Sequence, residues 1–512
     1  MKLYNTHVHL FTASFVPSGF YGRPAKNFFN KIKWLVPVRE FFLNLLKFIN
    51  PFNAYDKGNQ LAKLVEIGAL DSQQEVLENL RGDYDFNPNM NYVVLSLDMD
   101  YMEAGTPDIN YLTQLEELTQ LKYDNQHDII PFVCIDPRRF EGELLVKFVK
   151  EYIEDKGFKG IKMYPALGYY PFDARLLDLY AYAEKNQIPI ITHCDRGGIH
   201  YQGTYNPISK SKLINDLFYT RYYYDFKLIR RLKNEIAKEK SDFEFNLEDY
   251  EQFRLSQTFT KLESVKSDGI DPMKVNQFVI QAEDDFNNVK KYFDTKDISK
   301  FTSEPRFFHN FSHPQAFEEI LKIFPKLKIC FAHFGGSEEI QKVKKVKSNL
   351  SQLFKSESSN RNGCHIDLVS CDSFIKCLRQ TKTVSNSWYL LILDLMSTYE
   401  NVYADISYSL HDKRNFPLLN APLQVSHIAD RILFGTDFYL VEREKSEKKL
   451  VNDYKRSLAN NHVFEVKNRN YYKNRLFSKP DLNTSEETLL NDRWLKISSF
   501  NPGQFLNNNL GR

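Results

Sequence analysis

The sequence predicts an α/β protein of the (β/α)8 TIM-barrel class with large insertions, on three observations. Eight short apolar, β-like runs are spread over the 512 residues. Helix-like segments separate most of them. Four long segments, three between runs and one after the last, each leave the C-terminal end of a run, the face on which such barrels carry their sites.

The runs are Leu3–His9, Tyr92–Leu97, Ile129–Ile135, Gly160–Tyr164, Ile188–His193, Leu327–His333, Val402–Ile406 and Ile432–Asp437. Most are continuously apolar rather than alternating, the pattern of parallel strands buried on both faces. Helices are expected over Tyr111–Leu121, Glu143–Lys156, Ala174–Asn186, Gln315–Phe324 and Trp388–Tyr399. Ser312 and Pro314 ahead of Gln315 read as a cap with proline in the first turn. The chain is expected to be a single barrel domain, 1–512, with insertions at approximately 11–91, 194–311, 337–387 and 438–494. Leaving the C-terminal face, these should wall or cover a site. Within them, Trp34–Phe52 reads as an amphipathic helix, too short and too polar to span a bilayer, and Lys227–Phe293 as helical.

The charge balance, 68 basic against 66 acidic residues, gives +2. No field favours nucleic acid or an anionic membrane, so a small molecule is the expected partner. A homo-oligomer stays open. The six cysteines form no C-x-x-C pair and are read as free thiols in a reducing compartment. The start of the chain shows no basic segment followed by an apolar one, so no signal peptide is expected and the protein is read as cytoplasmic.

Chemistry is suggested by His7-Val8-His9. In a strand, residues i and i+2 point to one side, so both imidazoles reach toward one point. His193, His333 and Asp437 each end a later run. In a closed barrel those ends share one rim. Imidazoles with a carboxylate suit Zn2+, or Mn2+ or Fe2+, and catalysis needs an open coordination position. Arg196, in Cys194-Asp195-Arg196-Gly197-Gly198, is placed either to clamp a substrate carboxylate or phosphate or to sit in a surface turn. Asp405 is placed to hydrogen-bond a ligand histidine or the substrate, or to be an ordinary strand-end carboxylate. Asp98, Asp100 and Arg138 rank lower, and His309 and His313 are expected to face solvent or cap.

Taken together, Asn5-Thr6-His7-Val8-His9, Gly160-Ile161-Lys162, Ile191-Thr192-His193, Ala332-His333-Phe334-Gly335-Gly336, Asn401 to Ser407 and Leu433 to Asp437 resemble the metal-dependent amidohydrolase superfamily. The closer resemblance is to the amidohydrolase-2 family, the aminocarboxymuconate-semialdehyde decarboxylase-like branch. It implies His7, His9, His193 and Asp437 as metal ligands and His333 as the acid/base beside the metal. Asp437 would also take a proton from metal-activated water. In binuclear members a lysine on the fourth strand is carboxylated and bridges two metals, so Lys162 is a metal-bridging or site lysine. One Zn2+ is favoured over two metals because Ala332 to Gly336 look like the mononuclear branch. The function implied is hydrolysis of a C–N or C–O bond in an amide, cyclic amide or lactone. The alternatives are non-oxidative decarboxylation of an unsaturated or aromatic carboxylate, and a non-catalytic barrel scaffold.

Overall fold

The structure, a computed structural model, describes residues 2–17, 63, 66–84, 89–125, 128–171, 173–202, 311–343, 387–424, 426–458 and 486–510. Most of the first three insertions (18–62, 203–310 and 344–386), with the expected helices at 34–52 and 227–293, and the middle of the fourth (459–485) lie outside them, as do Cys364, Cys371, Cys377 and His309.

All eight runs form strands: β1 (Leu3–Val8), β2 (Met90–Leu95), β3 (Ile129–Ile135), β4 (Gly160–Met163), β5 (Ile190–Thr192), β6 (Ile329–Phe331), β7 (Val402–Asp405) and β8 (Ile432–Leu433). They make one parallel sheet in chain order. The sheet closes on itself just past β8. Val8 bridges Phe438 in parallel, Thr6 N–H donates to Phe434 O at 2.9 Å, and Asp437 N–H donates to His7 O at 2.8 Å. The closure sets His7 and Asp437 side by side from opposite extremes of the chain.

Strand alternation sorts side chains into two cores. Along β2, Tyr92 and Val94 pack outward with the helices, while Val93 and Leu95 join an inner cluster with Phe132, Ile191, Cys330 and Leu433. Continuous apolarity is thus explained: both faces are buried. Inside the barrel, the Phe132 ring needs the space at Gly160, where an added Cβ would lie 2.4 Å from it.

The expected helices form as α2 (Tyr111–Asp124), α3 (Gly142–Lys150), α4 (Leu177–Asn186), α5 (Ala316–Ile323) and α6 (Trp388–Thr398), preceded by α1 (Gln73–Asp83) in the first insertion. Asn110 caps α2, its side chain accepting from Thr113 N–H at 3.0 Å. The expected cap on α5 is corrected: Gln315 is its N-cap residue, without a side-chain bond, and Ser312 and Pro314 lie upstream. Among the described residues no helix is long and apolar enough to cross a membrane.

Beyond β8 the chain forms α7 (Glu447–Leu458), α8 (Glu486–Leu495) and α9 (Asn501–Leu506). The last one stoppers the N-terminal mouth of the barrel. Asn501 Nδ2 donates to Ala429 O at 2.7 Å and Ile432 O at 2.8 Å. Phe505, fully buried, reaches the inner cluster and packs on Tyr403 with ring centroids 4.9 Å apart. Phe505→Ala should therefore lower unfolding stability by about 3–5 kcal/mol, the usual effect of a buried aromatic truncation. Urea unfolding measures it, and a loss under about 1 kcal/mol would mean the stopper is dispensable.

Candidate metal centre

Alternation also aims the site. Val8 packs in the outer core, so His7 and His9 point into the barrel, while Asn5, across a register shift and level with the outward Tyr92, faces the helices. By the same count Lys162, between the outer-core residues Ile161 and Met163, points inward. His193 follows β5 directly, His333 lies just past β6, and Asp437 lies past β8. His333 (φ 61°) and Asp437 (φ 67°) have left-handed backbones, uncommon for residues with side chains and a mark of local strain at sites. The turn after His333 passes over Asp195 through Gly336 (φ +89°), where an added Cβ would lie 2.2 Å from the Asp195 carboxylate. Only glycine fits there.

The structure brings the five predicted groups into one chain of contacts. Asp437 Oδ1 lies 3.4 Å from His7 Nε2 and 3.3 Å from His9 Nε2. The His7 and His333 rings are 4.9 Å apart, and His333 Nε2 is 3.2 Å from His193 Nδ1. All five residues are buried.

Hydrogen-bond chemistry assigns the protons. His9 Nδ1 is 2.9 Å from Leu95 O, a carbonyl that can only accept, so Nδ1 carries the hydrogen. His7 Nδ1–H likewise donates to Asp405 Oδ2 at 2.9 Å. Burial, then Lys162, hold the His7 imidazole well below its usual range, so it is neutral. His7 Nε2 is therefore a lone pair aimed at a carboxylate oxygen. Burial alone would raise the Asp437 carboxyl, but the histidines, His9 first, bring it below the usual carboxylate range. Neither His7 Nε2 nor Asp437 Oδ1 has a hydrogen-bond partner. Two acceptor atoms, His7 Nε2 and Asp437 Oδ1, thus face each other at 3.4 Å with no proton between them. A cation is the natural complement, and His7, His9 and Asp437 offer donor atoms within 4.8 Å of one another.

A second group, His7, His333 and Asp405, meets the same distance criterion. Its contacts are of another kind. Asp405 Oδ2 accepts from His7, and Oδ1 accepts from His333 N–H at 2.9 Å, from Ser407 N–H at 3.0 Å and from the Ser407 hydroxyl. Of the roles expected for Asp405, the geometry holds the hydrogen bond to a histidine. Ser407, having given its proton to Asp405, accepts from His333 Nδ1–H at 2.9 Å. His193 Nε2 faces Gly197 O at 3.3 Å, which places its hydrogen there and a lone pair on Nδ1. His193 also stacks on Tyr164 at 4.0 Å and 8°.

Lys162 Nζ is fully buried without a hydrogen-bond partner, 5.6 Å from the Tyr164 ring centroid. Burial lowers its pKa, against the pull of Asp405 and Asp437. Arg196 donates from Nε to Glu339 at 2.5 Å and lies 4.7 Å over Trp388. Glu339 also accepts from Trp388 N–H at 2.9 Å, which ties the loop to the start of α6. Asp98 and Asp100 are paired with Arg139, and Arg138 with Asp136, in a network on the rim after β2 and β3. His313, expected to face solvent or cap, is buried and packs edge-on against Trp388, and its Nδ1 accepts from Gln315 N–H at 3.2 Å at the start of α5. Cys134, Cys194 and Cys330 are buried free thiols.

Sequence reasoning missed Ser407 and Tyr164. Alternation could have found the first, since Ser407 stands two residues after Asp405 on the same side. Tyr164 gave no signal beyond its place at a strand end.

A closed parallel barrel with a buried His/Asp cluster at its C-terminal rim defines a protein that can hold a metal ion. Residues 113–347 match the family model Amidohydro_2, described as amidohydrolase. Among solved structures the chain is similar to a crystal structure of an amidohydrolase II, at 11% identity over 84% of this chain and 88% of that one, with a TM-score of 0.36. It is also similar to a 2,6-dihydroxybenzoate decarboxylase from Rhizobium, at 10% identity over 86% and 89% of the two chains, with a TM-score of 0.33. No curated protein sequence matches it.

Proposed function

We propose that this chain is a metal-dependent hydrolase that cleaves a C–N or C–O bond of a small amide, cyclic amide or lactone with water. His7, His9, His193 and Asp437 would hold one divalent cation, Zn2+ first, given two or more imidazoles with a carboxylate. The observation that carries the reading is the convergence of His7 Nε2 and His9 Nε2 on Asp437 Oδ1, at 3.4 and 3.3 Å. A divalent cation held there supplies Lewis acidity and lowers the pKa of water.

The remaining work falls to the chain's own side chains. Asp437, kept ionised by the histidines around it, accepts a proton from the attacking water. His333, oriented by Ser407 through Nδ1–H, presents Nε2 to carry a proton to the leaving nitrogen or oxygen. Asp405 fixes the His7 tautomer so that Nε2 faces Asp437. The Lys162 ammonium balances the two carboxylates beneath the site. Glu339 holds the Nε edge of Arg196, which leaves the Nη edge to take a substrate carboxylate or phosphate.

Elemental analysis should find about one divalent ion per chain. Chelation should remove that ion and the hydrolysis of an amide and lactone panel together, and added Zn2+ should restore both. Turnover indifferent to chelation would sink the reading. Two ions with a carboxylated Lys162 would replace one metal with two. Release of CO2 from aromatic carboxylates without any hydrolysis would move the same site to decarboxylation.

A further inference from the structure

One buried carboxyl has no part in the chemistry above. Glu447, the first residue of α7, is fully buried. Its Oε1 accepts from the Tyr84 hydroxyl at 2.7 Å and from Asn5 Nδ2 at 3.2 Å. Asn5 Nδ2 also donates to Thr436 Oγ1 at 2.7 Å. On its other side, Asn5 Oδ1 accepts from His7 N–H at 3.3 Å and Thr436 N–H at 3.1 Å. One amide thus grips the backbone of His7 and of the residue before Asp437, and one carboxyl fixes that amide.

We propose that Glu447 is a positioning residue that sets the spacing of His7 and Asp437 through Asn5 and Thr436, and with it the affinity of the site for a divalent cation. The proposal rests on the metal reading above. The two ligands stand on opposite sides of the barrel's closure, where the Asp437 N–H to His7 O bond and the Asn5 amide both span the seam. Without Glu447, the Asn5 amide and the Tyr84 hydroxyl lose a shared acceptor in a buried setting, and the amide keeps only its bonds to Thr436, Tyr84 and the His7 N–H to hold its place. Burial raises the Glu447 carboxyl to about 8, so near neutral pH it is an uncharged acid that glutamine can imitate.

The test uses the full chain, with Zn2+ affinity measured by competition against a chromogenic chelator. The melting temperature of the metal-free protein is measured beside it. Glu447→Ala should weaken Zn2+ binding by roughly 10–100-fold, and Glu447→Gln should stay within about threefold of wild type, as for partners that orient ligands. Lower melting with unchanged affinity in Glu447→Ala would mean a purely structural role and overturn the proposal. Should that variant fail to fold, Tyr84→Phe removes one donor from the same carboxyl and must weaken Zn2+ binding; unchanged affinity there overturns it equally. Wild-type protein that takes up no Zn2+ would sink the metal reading itself, a result distinct from wild-type binding that the variants leave untouched.

Discussion

Asp437→Ala should yield folded protein without bound metal and without detectable turnover. Asp437 is the one carboxylate in the His7–His9–Asp437 group. Removing it leaves neutral imidazoles with no charge to offset a dication, and it deletes the base for water. Its left-handed backbone (φ 67°) complicates a simple reading, since alanine is strained there. Asp437→Asn separates the two effects, because asparagine tolerates that conformation and removes only the charge. Both variants should lose the ion in elemental analysis. Stoichiometric metal in Asp437→Asn would show that the carboxylate is not a ligand.

His333→Ala should divide metal binding from catalysis. The ring's Nδ1–H is spent on Ser407 and its Nε2 faces His193 Nδ1 at 3.2 Å. As an acid/base group it contributes when charge develops in the transition state, not in the resting complex. The variant should keep most of its metal and lose roughly 10²–10⁴ of turnover. His333→Asn, which also tolerates the positive φ, serves as the backbone control. A drop in metal content would make His333 a ligand of a second ion. Full activity with full metal would leave it structural and the mechanism wrong.

The strands were legible because the feature that makes them strands is local. A parallel strand buried on both faces must be apolar throughout, and Ile129–Ile135 shows it without context. Their ends were less so. The run ending at Asp437 shortens to Ile432–Leu433 because the chain leaves the ladder for the turn that carries Asp437, and no residue type announces that departure. The predicted site residues could be named because each stands at the end of a run. What holds them could not. Ser407 meets His7 from 400 positions away, and Glu447 meets Asn5 from 442. Such partners leave no periodic trace, since a single polar residue in a helix start or turn has many ordinary uses. The Arg196–Glu339 pair is hidden for the same reason: either residue alone reads as surface charge.

The closure of the barrel has a consequence for how the protein comes into being. Asn5 and Thr436, bonded across that seam, are separated by 431 positions. Pairings of such span must overcome the entropy of a very long loop before they gain anything, and they are the slow step in folding. While the chain is being synthesised, His7 and His9 emerge early and wait; Asp437 arrives only after seven strands have had time to assemble. The half-site of two histidines lacks the carboxylate that would hold a dication until the last strand docks. On the proposed metal reading, acquisition of an ion is coupled to completion of the barrel, and an ion bound to the closed form alone would in turn lock the seam, adding about 2.7 kcal/mol at a free concentration 100 times Kd.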